Sequence, residues 1–185
     1  KELVLTNIPA THDSASFCMN RIGSVFSKAQ IYNITEQLTI GIRKIDLRVA
    51  FRGGCSISKY EVDDEDLICC HGICDCYRSP NVFNNKKVTF KSILLEVREF
   101  LAKHPTETIM IDFQSGRGNS KLHMRRAIEI YYKYLGDITV LFNKYLTIGQ
   151  VRGKVVFAIK QELVDKLGCP IYKNYRTSTG IEAVH

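Results

Sequence analysis

Two histidines, one arginine and two aspartates in this chain each sit at the end of a short apolar run. His12-Asp13-Ser14 follows the run Leu3 to Ile8, Asp46-Leu47-Arg48 closes the run Ile42 to Val49, and His71-Gly72 follows Leu67 to Cys70. Two further runs end at Asp112-Phe113-Gln114 and Ile159-Lys160. Imidazole changes charge near neutral pH, so two histidines at one site can hold opposite proton states, one a general base and one a general acid. A guanidinium adds planar, paired donors that suit a tetrahedral oxyanion. Residues two apart in a strand face the same side, which lets Asp46 and Arg48 point together.

Taken one at a time, these features have plainer readings. A histidine after a strand is ordinarily a loop residue, and an Asp-x-Arg pair is ordinarily a structural ion pair. The acidic run Asp63 to Asp66 reads as a solvated turn, since it lacks the spacing of a calcium loop. Arg117, Lys121, Arg125 and Arg126 read as a solvated helix face.

The elements that must position the set follow from period. Strands are expected at Leu3 to Ile8, Ile42 to Val49, Leu67 to Cys70, Thr108 to Phe113 and Val155 to Ile159. Helices are expected at Ile31 to Ile40, at Phe90 to Leu101 with Thr89 as N-cap, and at Lys121 to Leu135. Strand–helix alternation with nearly continuous apolar strands predicts an α/β fold with a parallel sheet and helices outside. A complete (β/α)8 barrel takes ~250 residues, so the 185 residues here read as one domain, 1–185, holding the first half to five-eighths of such a TIM-like barrel. A further C-terminal segment completing the barrel is part of that expectation.

Composition narrows the partners. The net charge of +7 favours an anionic surface, while scattered basic residues without a nucleic-acid signature argue against nucleic acid. Of seven cysteines, four crowd into Cys69-Cys70-His71-Gly72-Ile73-Cys74-Asp75-Cys76, and Cys18, Cys55 and Cys169 stand apart. With the sequon at Asn33, this count favours a secreted or lumenal compartment. Cys69 and Cys70 are adjacent and should face opposite sides of their strand, with Cys74 or Cys76 as a loop disulfide partner.

Several segments together resemble the X region of bacterial-type, metal-independent phosphatidylinositol-specific phospholipase C. Ile8-Pro9-Ala10-Thr11-His12-Asp13-Ser14 is similar to that family's Pro-Gly-Thr-His-Asp-Ser segment, with Ala10 in place of glycine. Gln37-Leu38 through Arg43 to Asp46-Leu47-Arg48, His71-Gly72, Phe100-Leu101 through His104-Pro105-Thr106-Glu107-Thr108, and Val151-Arg152-Gly153-Lys154-Val155-Val156 match in order. The resemblance implies a TIM-type barrel that cleaves inositol lipid to diacylglycerol and a cyclic inositol phosphate at a membrane surface. It implies His12 as general base, His71 as general acid, Arg48 on the phosphate, Asp13 as carboxylate partner of His71 and Asp46 as an orienting group. Lys160 resembles a basic inositol-binding residue. Gln114, where the family tends to carry a basic residue, and Arg117 complete the expected substrate contacts. The family's carboxylate partner for the first histidine lies in the second barrel half and is therefore expected outside this stretch.

No cofactor and no metal are implied. Calcium-dependent relatives carry Asn after the first histidine and Glu-x-Asp on strand two, where this chain has Asp13 and Asp46-Leu47-Arg48. Two other readings stay open: a non-catalytic inositol-lipid or phosphate-binding module, and a zinc-stabilised domain using Cys69, Cys70, His71, Cys74 and Cys76.

Overall fold

A computed structural model describes residues 1–19, 27–52, 63–79, 86–117 and 120–158, with backbone alone at 120–123. Lys160, Cys55 and Cys169 lie outside the described residues.

Local chemistry sets most boundaries. Helix α1, Ile34–Thr39, begins at a capping box: Asn33 accepts from the Glu36 amide, and Glu36 accepts in return from the Asn33 amide. It ends at Gly41, whose φ of +104° suits a residue without Cβ. Helix α2, Phe90–Lys103, is capped by the Thr89 side chain and buries Ile93, Leu94, Val97 and Leu101 along one stripe. Helix α3 spans Ser120–Leu135, and the single turn α4, Ile148–Val151, opens with a second capping box at Thr147.

Seven strands join one sheet: β1 Ala10–Thr11, β2 Lys44–Phe51, β3 Leu67–His71, β4 Cys74–Asp75, β5 Thr108–Ser115, β6 Thr139–Leu141 and β7 Lys154–Phe157. The order is β4-β3-β2-β5-β7-β6, with β1 on β2. Strands β1, β2, β5, β7 and β6 pair in parallel, whereas β3 and β4 form an antiparallel hairpin. The result is an α/β fold with a parallel-rich sheet.

Four expectations need correction. Leu3–Leu5 is a 3-10 turn, and the first strand is the short Ala10–Thr11, pairing with β2 only from where the Arg43 and Lys44 amides donate to the Pro9 carbonyl. The strand at Leu67 runs antiparallel to β2 instead of parallel to it. The last strand is Lys154–Phe157 rather than Val155 to Ile159, and β6, reading only Thr-Val-Leu, is too short to show a period. Asp64 is buried rather than solvated, held by Arg126, Lys133 and Tyr134 from α3, so that helix face is engaged rather than free.

The two sheet faces differ in kind. Ile45, Leu47, Val49, Ile109, Ile111, Phe113, Val155 and Phe157 pack with α2 and α3 in the main core. On the other face Met110, Val156 and Val140 lie side by side in register and close the lower end with Leu3, Leu146 and Val151. Above that apolar layer the same face turns polar: Asp46 pairs in register with Asp112, and Arg48 with Gln114.

Candidate active site

The edge of β2 is shared, and that sharing builds the site. Strand β1 occupies the lower part, opposite Lys44 and Ile45, while β3 descends along the upper part, opposite Phe51 to Val49. The ascending chain leaves β1 at His12-Asp13 just where the descending strand delivers His71. An antiparallel β3 thus brings a histidine back into the site, which a parallel strand would place at its far end.

Asp13 is the hub. Its residue is 2% exposed, and its φ of +46° turns the carboxylate inward, a left-handed conformation that Asp tolerates better than most side chains. One oxygen, Oδ1, lies 2.7 Å from Arg48 Nε. The other, Oδ2, lies 3.1 Å from His12 Nε2 and 3.2 Å from His71 Nε2. His12 Nδ1 lies 2.9 Å from Asp46 Oδ2, and Arg48 Nη2 approaches His12 Nε2 at 3.5 Å. His71 Nδ1 bonds the Ser27 carbonyl at 2.7 Å. The Ser27 carbonyl only accepts, so His71 Nδ1 is the donor in that bond, which leaves Nε2 facing Asp13 and the site.

The turn carrying His12 and Asp13 is clasped on both sides. Ser14 N–H donates to the Asp46 carbonyl, and Asp46 N–H donates back to Ser14 Oγ. Buried Gln37 of α1 accepts from Thr11 Oγ1 and donates to the Ser14 and Tyr32 carbonyls. Gln30 bonds the His12 carbonyl.

Each expected residue has a definite place. His12, Asp13, Asp46, Arg48 and His71 converge. Gln114 is exposed at the top of β5, beside Arg48 in register. Arg117 is neither a solvated helix residue nor free for substrate: it pairs with Asp75 and donates to the Ile73 carbonyl, locking the hairpin that carries His71. Burial raises the Asp75 carboxyl, but hydrogen bonds from Lys87 and Arg117 outweigh it and hold the group below its ordinary value. Asp46, expected as an orienting group, lies against His12 Nδ1.

Asp112 was noted from the sequence only as part of the strand end Asp112-Phe113-Gln114, with no role of its own, although its offset of two from Gln114 marks it as sharing that face. Its carboxyl is pushed up, chiefly by burial, with Lys44 opposing and neighbouring Asp46 adding to the shift.

Cys18, Cys69, Cys70, Cys74 and Cys76 are free, so the expected disulfide at Cys74 or Cys76 is not made. Burial pushes the Cys70 thiol up to about 11, far from the reactive range. Among the described residues these cysteines and His71 do not converge as metal ligands. The group that does is His12, Asp13 and Asp46, whose donor atoms lie within 4.8 Å of one another. Arg48 already holds one of those carboxylates at 2.7 Å, and a fixed guanidinium beside a divalent ion is repulsive, so the donor set fits a metal poorly while that pair stands. An apolar cavity of about 180 Å³ opens at the other end of the strands, between Leu3, Pro9 and Met110, and does not reach the histidines.

Known proteins share this fold. No protein-family model matches the chain. A curated relative, PI-PLC X domain-containing protein 3 of Danio rerio, is 27% identical over 160 residues, covering 72% of this chain and 44% of its own length. The phosphatidylinositol-specific phospholipase C of Staphylococcus aureus superposes with a TM-score of 0.61 at 22% identity, over 85% of this chain and 48% of that one. The enzyme of the same name from Listeria monocytogenes gives 0.58 at 24% identity, over 86% and 53%. The chain has the fold of these phosphatidylinositol-specific phospholipases C. It spans about half the length of these relatives. Within this fold the antiparallel β3–β4 hairpin is the local device that brings His71 beside His12.

Proposed function

We propose that this X region is the catalytic part of a phosphodiesterase that cleaves phosphatidylinositol, or its glycosylated anchor form, to diacylglycerol and a cyclic inositol phosphate. The observation that carries the reading is two imidazoles on one buried carboxylate with a guanidinium alongside. His12, oriented through Nδ1 by Asp46, takes the proton of the inositol 2-hydroxyl at Nε2 once that nitrogen turns from Asp13 to substrate. The freed oxygen attacks phosphorus and the bond to the glycerol oxygen breaks. His71 gives that oxygen its proton, and Arg48 balances the charge on the equatorial phosphate oxygens. Each proton transfer is worth ~10²–10⁴ in rate. Because the guanidinium supplies the charge, no metal is required. The net charge of +7 suits an anionic membrane surface.

The test is cleavage of phosphatidylinositol vesicles by the full protein, with excess EDTA and with millimolar calcium. Turnover is expected in EDTA, and Arg48→Lys should restore only part of the loss seen in Arg48→Ala, since an ammonium lacks the paired geometry. Silence in EDTA with revival by calcium would overturn the metal-free mechanism and return Asp13 and Asp46 to the role of ligands.

A further inference from the structure

Packing does not aim the His12 ring. Its side chain is 67% exposed, and the strand that delivers it, Ala10–Thr11, is two residues long. The next residue, Asp13, sits at a φ of +46°, a left-handed conformation that persists where the surrounding structure fixes it. The turn therefore needs a brace from outside. Helix α1 supplies one: it buries Ile34, Gln37 and Leu38, and Gln37 is the polar member of that face.

The Gln37 amide serves three segments at once. Its Oε1 accepts from Thr11 Oγ1 at 2.7 Å, just before His12 in the chain. Its Nε2 donates to the Ser14 carbonyl at 2.8 Å, just after Asp13, and to the Tyr32 carbonyl at 2.7 Å. Carbonyls only accept, so nitrogen must face Ser14 and Tyr32 and oxygen the threonine hydroxyl. One side chain thus joins both ends of the His12–Asp13 turn to a helix that a capping box holds at its start. From Ser14 the tie continues into the site. Ser14 N–H donates to the Asp46 carbonyl, Asp46 N–H donates to Ser14 Oγ, and Asp46 Oδ2 faces both His12 Nδ1 and the Asp13 N–H. A glutamate at position 37 would turn an oxygen towards two carbonyls, and an apolar side chain would take a donor from the buried Ser14 carbonyl.

We propose that Gln37 is a positioning residue of the site: its amide clamps Thr11 and Ser14 to each other and to α1, and so holds His12 and Asp13 in line with Asp46. The kinetic consequence rests on the phosphodiesterase reading, in which His12 meets a hydroxyl proton, whereas the geometric consequence stands without it. The amide reaches Thr11, Ser14 and Tyr32 rather than the imidazoles, so Gln37 acts through the turn. Alignment of reacting groups carries much of a rate, and a misplacement of ~1 Å can cost ~10²-fold. A clamp of this kind governs kcat and leaves KM nearly alone.

The test combines cleavage of phosphatidylinositol vesicles by the full protein with amide hydrogen exchange. Gln37→Met keeps the side-chain length and removes its hydrogen bonds. It should lower kcat about 10- to 100-fold with KM within about threefold. The Asp13 and Ser14 amides should exchange at least about tenfold faster, while those of β5 exchange as in wild type. Thr11→Val removes the hydroxyl without a change of size and serves even where Gln37→Met does not fold. It should lower kcat roughly tenfold, and Thr11→Ser should return most of that loss. A folded Gln37→Met with kcat within about twofold of wild type, or a Thr11→Val equal to Thr11→Ser, would overturn the clamp. A slower enzyme whose β5 amides also exchange faster would overturn it too, since Gln37 would then only stabilise the fold. If wild type leaves the vesicles intact, the phosphodiesterase reading fails by itself. Exchange at Asp13 and Ser14 then decides the clamp, faster exchange in Gln37→Met supporting it and unchanged exchange overturning it.

Discussion

Asp13→Asn isolates the electrostatics of the hub. Asn matches Asp in size and accepts the left-handed backbone at φ +46°, so neither a cavity nor backbone strain accompanies the change. What is lost is the negative charge between Arg48 Nε at 2.7 Å and two imidazoles at 3.1 and 3.2 Å. Removing one partner of a buried ion pair typically costs ~3–5 kcal/mol. The Arg48 side chain keeps 28% exposure, so water replaces part of the interaction and the lower end, about 3 kcal/mol, is expected. Asp13→Ala should cost roughly 1–2 kcal/mol more, since alanine also dislikes the left-handed region. Urea denaturation at pH 7 measures both. In a double-mutant cycle with Arg48→Met, the second change should cost much less once the first is present, by roughly 1–3 kcal/mol. An Asp13→Asn variant that unfolds within about 1 kcal/mol of wild type, with no coupling to Arg48, would refute the hub.

Further expectations concern the catalytic pair, the packing beneath it and the carboxylate of Asp112. His12→Ala and His71→Ala should each lower phosphatidylinositol turnover at least ~10²-fold with circular dichroism unchanged, and near-normal turnover in either folded variant would remove that histidine from the mechanism. Gly116→Ala should destabilise by ~1–3 kcal/mol, because the new Cβ would lie 2.3 Å from Cys70 Sγ and 3.2 Å from Arg48 Cβ. Adding Cys70→Ala should recover part of that loss in a thermal melt, and no recovery would mean the sulfur is not the obstacle. Asp112→Asn should melt higher than wild type at pH 7. The folded carboxyl is raised above its ordinary 3.8, so the folded state binds the proton more tightly and loses stability as pH rises through that value. The advantage of Asn should fade below pH ~4, and equal melting at pH 7 would contradict the assigned burial cost.

How much could be read beforehand varied with the length of each signal. Helix α2 was legible because Ile93, Leu94, Val97 and Leu101 repeat with helical period behind a Thr89 cap, and β5 because its apolar run is long. The site residues were legible as a set through their family resemblance and their positions at strand ends. Their geometry was not. Nothing in Leu67-Ile68-Cys69-Cys70 states that the strand runs antiparallel, since direction is decided by which edge of β2 lies open. The partnership of His12 with Asp46 was hidden for the same reason, being set by β1 lying in register below. Arg117 and Asp64 misled because a charged side chain looks solvated until the partner, distant in sequence, is known.

The meeting of β1 with the hairpin also says where this molecule should open first. His12 and Asp13 hang on a two-residue strand, and His71 is tied down by a β4 of two residues, whereas β2 and β5 are each eight residues long. Short ladders of that kind separate with far less free energy than a central strand pair. Their amides should therefore exchange with solvent through local opening, well before the sheet as a whole gives way. The two histidines of the proposed mechanism thus depend on segments that can part while β2, β5 and both long helices stay folded. In such a molecule the site geometry is lost at a milder stress than the fold, and retained helicity says nothing about whether the two imidazoles still face one carboxylate.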